Sequence, residues 1–216
     1  MRVLITGASG GLGPAVVEEF IGSGADVYGV ARSWPQPDDR FQQISADLGS
    51  DEGCRKAAEQ AGSPEVLVHV MGGFAPGGTE SGSDVWERMI SVNLLSAVRM
   101  FRAVLPGMRS AGRGRLIAVG SQVASEPVAG LSAYGASKAA LVHFIRTVAL
   151  EVQGSGVTAN IVMPGTIDTE ANRRAMPGAD RAGWVKPEAI ARIINWLASE
   201  DAADVNGAVM PINRRS

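Results

Sequence analysis

Val3-Leu4-Ile5-Thr6-Gly7-Ala8-Ser9-Gly10-Gly11-Leu12-Gly13 decides how the rest of the chain is read. Four apolar or β-branched residues predict a short buried strand, and the glycines that follow predict a tight turn. Beyond the turn, Val16, Val17, Phe20 and Ile21 recur at helical spacing, and Pro14 is tolerated in a first helical turn. Strand, glycine loop and helix in that order make a phosphate site. Glycines let the backbone approach an anion, and the N–H groups and dipole at the helix start favour one. A plain βα turn is the ordinary alternative. Gly7, Gly11 and Gly13 fit one nucleotide-binding spacing and Gly7, Gly10 and Gly13 another, so the loop alone leaves the subtype open.

Working outward, strand-like segments alternate with helical ones along all 216 residues. Strands are expected at Val3–Thr6, Asp26–Ala31, Phe41–Ser45, Val66–Met71, Leu116–Gly120, Val157–Met163 and Val205–Ile212. Several are near-continuous apolar runs, as expected of strands covered on both faces. Helices are expected after Ser50, over Ser83–Leu105 where Pro106-Gly107 would stop the chain, over Leu131–Val152 and over Pro187–Ser199. Arg109–Arg115 reads as a solvated turn, and 170–186 as a polar loop anchored by Met176 and Trp184. The fold expected is α/β, a doubly wound parallel sheet of about seven strands flanked by helices, in one domain spanning 1–216.

Composition narrows the function. A net charge of −2 gives no footprint for nucleic acid, and no uninterrupted apolar run approaches the ~18 residues of a membrane span. The amino terminus enters a strand at once, leaving no room for a signal peptide, and Cys54 is the only cysteine. A cytoplasmic protein is expected. His69 reads as a packed, hydrogen-bonded strand residue rather than a metal ligand, His143 as structural, and no metal is expected.

Chemistry concentrates at the carboxyl ends of the strands, where parallel sheets bind ligands. Arg32 closes the second strand, where an acid would grip ribose hydroxyls and an arginine accommodates a 2′-phosphate. NADP(H) is therefore favoured, with NAD(H) possible and a merely solvated Arg32 the plainer reading. Asp47-Leu48 follow the third strand; the carboxylate would accept from an adenine amine or cap the next helix. Gly72-Gly73 permit close approach of a cofactor, and Phe74 is an apolar contact for substrate. Asn93 falls inside a helix it does not suit, marking a break or a site. Ser121 ends the fifth strand. Tyr134 and Lys138, four apart, share one helix face, where the ammonium is expected to draw the phenol's pKa down toward the working range of a general acid or base.

Together these residues resemble the short-chain dehydrogenase/reductase family, in its short single-domain branch. The match covers essentially the whole chain: Thr6-Gly7-x-x-x-Gly11-x-Gly13, Asp47, Asn93, Ser121, Tyr134-x-x-x-Lys138, and Pro164-Gly165 with Thr169. It implies a Rossmann fold and settles the glycine spacing, since the branch with the other spacing carries a substrate domain for which there is no room. It implies that Gly7, Ser9, Gly11, Leu12, Gly13, Arg32, Asp47, Leu48, Gly72, Pro164 and Gly165 bind cofactor. Ile167 and Thr169 would fix the carboxamide, and Lys138 would lower the pKa of Tyr134 and bond the ribose. Tyr134 would move the substrate proton, Ser121 would donate to the carbonyl, and Asn93 would hold a water linking Lys138 to solvent. The chain departs from the family where His69-Val70-Met71-Gly72 replaces Asn-Asn-Ala-Gly, removing the amides that usually tie the central strands. The short segment after Thr169 implies a compact or open substrate site.

The activity expected is hydride transfer between NADPH and a small, fairly apolar carbonyl or alcohol. A non-catalytic NADP-binding sensor or scaffold is the alternative, favoured by the altered fourth-strand motif and opposed by the intact Asn93, Ser121, Tyr134 and Lys138; length disfavours a sugar-nucleotide epimerase. A homodimer or homotetramer built on the two long helices is expected from the small-residue face Ala133, Ala136 and Ala140.

Overall fold

The structure, a computed structural model, describes residues 1–213; the last three residues of the expected domain lie outside the described residues. Its centre is a sheet of seven parallel strands: β1 (Arg2–Thr6), β2 (Asp26–Ala31), β3 (Gln42–Ser45), β4 (Val66–His69), β5 (Gly114–Val119), β6 (Val157–Pro164) and β7 (Val209–Ile212). They lie in the order β3-β2-β1-β4-β5-β6-β7. The order reverses between β1 and β4, which places a crevice at their carboxyl ends.

Alternation explains why the central strands are mostly apolar on both faces. Val3, Ile5, Val66, Val68, Ile117 and Val119 face one layer, where α1 (Gly13–Gly22) and α7 (Pro187–Ala198) contribute Val16, Phe20, Ile190 and Ile194. Leu4, Leu67, Leu116 and Ala118 face the other, against α2 (Asp51–Ala61), α4 (Ser96–Ala111) and α5 (Ser132–Glu151). Both faces exclude water, so neither can carry the polar half of an ordinary strand.

The expected end of the long helix at Pro106 is not observed. The chain runs through α3 (Ser83–Ile90), a π-turn over Ser91–Leu95 and α4 without leaving the helical path, and Pro106 lies inside α4. Pro106 and Arg102, whose carbonyl the proline cannot bond, are both on the exposed face, while Val104 and Met108 anchor the turns on either side. The helix stops at Gly112, with φ +66°. By length and composition alone the continuous helix Ser83–Ala111 could cross a membrane, but a core helix passes the same test. Met89, Met100, Phe101, Val104 and Met108 are instead buried within the fold.

Further differences have local causes. Arg115 is not in a solvated turn: it lies in β5, almost buried, with Nη1 donating to the carbonyls of Gly114 and Gly156. In 170–186, Thr169 caps a short helix, α6 (Glu170–Ala175), by accepting from Asn172 N. Trp184 is buried there, but Met176 is exposed and anchors nothing. His143 is exposed, and of the small-residue face only Ala133 is buried while Ala136 is exposed. β7 starts at Val209 rather than Val205, because Asn160 takes the Val205 carbonyl and holds the preceding segment in a turn. Pro211 lies in this edge strand.

Candidate active site

The glycine loop is fixed by steric need. Gly7 has φ +66°, and a Cβ on it would lie 2.8 Å from the Met71 nitrogen. A Cβ on Gly13 would sit 2.4 Å from the carbonyl oxygens of Gly7 and Ala8, so this glycine lets the helix start against its own loop. The loop opens on a cleft of about 750 Å³ whose lining includes Ser9, Gly11 and Leu12 at one end and Tyr134, Lys138 and Ile167 at the other. Arg32, Asp47, Leu48, Met71 and Gly72 also line it, contributed by the ends of β2, β3 and β4.

Several expected residues meet in this cleft, and others stand behind it. Gly13, Asn93, Ser121, Pro164, Gly165 and Thr169 are outside its lining. Thr169 nevertheless touches the loop: its Cγ2 lies 3.0 Å from the point where a Gly11 Cβ would be. Gly165 follows β6, donating its N–H to the Ile212 carbonyl at 3.2 Å. Asp47 is not the cap of α2. Ser50 is, accepting from Gly53 N at 3.0 Å, while Asp47 accepts from Gly49 N at 3.0 Å within its own turn.

At the reacting end, Lys138 is buried and its Nζ donates to the Val119 carbonyl at 3.0 Å. Burial lowers its pKa to about 8. The expected depression of Tyr134 by this ammonium is not found. Burial of the phenol raises its pKa, and a hydrogen bond with Ser121 opposes that rise. The reason is where Lys138 points: its charge is spent on the backbone of β5. Ser121 also accepts from Val123 N at 3.4 Å, capping a 3₁₀ turn. Phe74 is exposed and stands edge-on to Tyr134, ring centres 5.1 Å apart.

Asn93 lies in the π-turn, fully buried. Its Oδ1 accepts from Gly73 N at 2.9 Å, and its Nδ2 donates to Gly73 O and to Ser137 Oγ, both at 3.0 Å. Ser137 in turn donates to the Tyr134 carbonyl at 2.7 Å. Sequence reasoning missed Gly73 as a partner, the Val119 carbonyl and Ser137. Ser137, three residues past Tyr134 and therefore on its face of the helix, carried a legible signal; the backbone partners carried none.

The substituted fourth-strand motif retains a tie between elements. His69 ends β4 opposite Thr6 of β1, with Nδ1 3.0 Å from Thr6 Oγ1 and Nε2 3.1 Å from Ser96 Oγ. Met71 donates its N–H to Thr6 Oγ1 at 3.3 Å and lines the cleft.

A dinucleotide fits these residues. The glycine cradle is closed to any side chain, and Arg32 is exposed at the cleft with no ion pair among the described residues. The neighbouring Arg40 is by contrast engaged by Asp38 and Glu18, each at 2.7 Å.

The sequence profile of the short chain dehydrogenases matches residues 1–179. The chain belongs to that family. It is 35% identical to a 3-oxoacyl-(acyl-carrier-protein) reductase FabG of Pseudomonas aeruginosa, covering 97% of this chain and 94% of the relative. A 3-oxoacyl-(acyl-carrier-protein) reductase MabA of Mycobacterium tuberculosis is 32% identical over 98% of this chain and 90% of its own. A short-chain dehydrogenase/reductase oxidoreductase of Burkholderia thailandensis superposes with a TM-score of 0.88 at 29% identity, covering 97% of this chain and 90% of that one. This short-chain dehydrogenase is thus a Rossmann-fold oxidoreductase acting between CH–OH and C=O with a nicotinamide cofactor.

Proposed function

We propose that the protein reduces a small, fairly apolar ketone or aldehyde with NADPH. The observation that carries this reading is a cleft lined at one end by Tyr134 and Lys138 and at the other by the glycine loop and Arg32, with Ser121 hydrogen-bonded to Tyr134 from behind the lining. The relatives are named for a carbonyl of this class, a 3-oxoacyl group on acyl carrier protein. A bound reduced nicotinamide supplies the hydride that reaches the carbonyl carbon.

The chain's own residues manage the oxygen. Burial keeps the Tyr134 phenol protonated, which is the form able to give a proton to the developing alkoxide. Ser121 donates a hydrogen bond to the same oxygen and stabilises its charge in the transition state. Lys138 is still mostly an ammonium at neutral pH, and from its place against the Val119 carbonyl it would bond the nicotinamide ribose, while solvent returns the proton to Tyr134. Asn93 acts through Gly73 and Ser137 as a positioning residue. Arg32 takes the 2′-phosphate, and Gly7, Ser9, Gly11, Leu12 and Gly13 take the pyrophosphate. Asp47, Leu48 and Gly72 line the nucleotide, Pro164 and Gly165 bring the chain to Ile167, and Thr169 meets the nicotinamide end. Phe74 offers substrate an apolar ring beside the phenol.

The test is NADPH oxidation over a panel of ketones, aldehydes and 3-oxoacyl thioesters, run beside Tyr134→Phe. Turnover only with the unmodified phenol supports the reading; equal turnover by the variant removes Tyr134 from the reaction. The protein is further proposed to act in the cytoplasm as a homodimer or homotetramer of single-domain subunits, which a monomer mass by light scattering would contradict.

A further inference from the structure

Thr6, His69, Ser96 and Asn93 are all fully buried polar residues, and the first three form one column through the sheet. The direction of every hydrogen bond in the column follows from its two ends. Ser96 has one hydroxyl proton, and it goes to the Val92 carbonyl at 2.7 Å, an atom that can only accept. Ser96 Oγ must therefore accept from His69, so Nε2 carries a proton. At the other end Met71 N–H donates to Thr6 Oγ1, leaving the Thr6 hydroxyl proton free to meet His69 Nδ1. The ring is thus a neutral imidazole protonated on Nε2. Burial, and next the charge on Lys138, hold its pKa down at about 3, in keeping with that state.

We propose that His69 is a positioning residue that locks the Met71–Gly73 backbone and the Asn93 π-turn in register with each other. One arm of the column ends on Met71 N, two residues before Gly73. The other ends on Val92 O, in the π-turn whose long bond runs from Ser96 N to Ser91 O. Those two segments meet again where Asn93 grips both the N–H and C=O of Gly73. A Cβ on Gly72 would lie 3.0 Å from Asn93 Oδ1 and 3.2 Å from Lys138 Nζ, so the loop being locked borders the reacting end of the cleft. His69 thus closes a ring of contacts around Gly72.

The structural half of this inference is tested without any activity, by ¹⁵N-histidine NMR of the wild-type protein at neutral pH, with His143→Gln to assign the two rings. One ring with a protonated Nε2 and a bare Nδ1, unchanged between pH 7 and pH 5, is the expected result. A protonated Nδ1, or a ring that gains a proton over that range, overturns it. The functional half rests on the reductase reading and uses Ser96→Ala, which keeps the ring and removes one arm. Turnover is expected to fall roughly tenfold, about what one buried hydrogen bond is worth, with the KM for NADPH changed much less. A lowered melting temperature with unchanged kcat would mean the column is only structural. If the wild-type protein turns over no carbonyl, the reductase reading fails while the tautomer result still stands or falls by itself.

Discussion

Replacing Asn93 by alanine removes three hydrogen bonds of 2.9–3.0 Å from a site with no access to water. At about 1 kcal/mol net for each bond, and a further 1–3 kcal/mol for a Gly73 N–H left without a partner, the loss comes to roughly 4–6 kcal/mol. Alanine suits a helix better than asparagine and returns about 0.7 kcal/mol. A net destabilisation of about 3–5 kcal/mol is expected, large against a typical total of about 5–15 kcal/mol. The assay is equilibrium urea unfolding followed by the fluorescence of the four tryptophans. With slopes of about 1–3 kcal/mol per molar urea, the midpoint should fall by at least about 1 M at an unchanged slope. A loss under about 1 kcal/mol, the size of an average substitution, would refute the view that the Asn93 amide fastens Gly73 to α5.

Arg32→Ala should weaken NADPH binding at least about tenfold more than NADH binding, measured by fluorescence titration, since only the former loses a charged hydrogen-bond partner; equal losses would remove the 2′-phosphate assignment. His69 makes stability fall in acid. Its native pKa of about 3 lies below the unfolded value near ~6.5, so the unfolded chain binds the extra proton between those limits and stability drops as pH falls through them. The slope from this group approaches about 1.4 kcal/mol per pH unit and is absent above pH ~6.5; urea midpoints from pH 7 to pH 4.5 should flatten in His69→Gln relative to wild type. Pro106→Ala should stabilise the protein by about 1–3 kcal/mol by restoring the missing bond to Arg102 in a helix that continues regardless; a drop in melting temperature would contradict it.

Most of the sheet was legible because parallel strands are apolar on both faces, and runs such as Val66–Val68 or Ile161–Met163 admit little else. What was not legible depended on tertiary partners. Pro106 reads as a stop by local rules, yet Val104 and Met108 hold the helix past it. Arg115 reads as solvent-facing among other arginines, yet neighbouring carbonyls cover it. The acidic Tyr134 inferred from an i,i+4 ammonium failed for a comparable reason: sharing a helix face does not fix where a long side chain aims, and Lys138 reaches the Val119 carbonyl. The loss of the family's strand-tying amides was visible in the sequence. That an imidazole bonded on both sides occupies their place was not, because Ser96 lies 27 residues away.

Pro211 bears on how copies of the chain could associate. The carbonyls of Ala208 and Ile212 point inward to β6, so the backbone groups of Val209 and Pro211 face outward from the sheet's last strand. A proline has no N–H to offer there, and an incoming strand would find a broken ladder after one donor. Sheet extension, the route to fibrils and swapped edges, is thereby closed on that side. Self-association across β7 is left to side-chain packing.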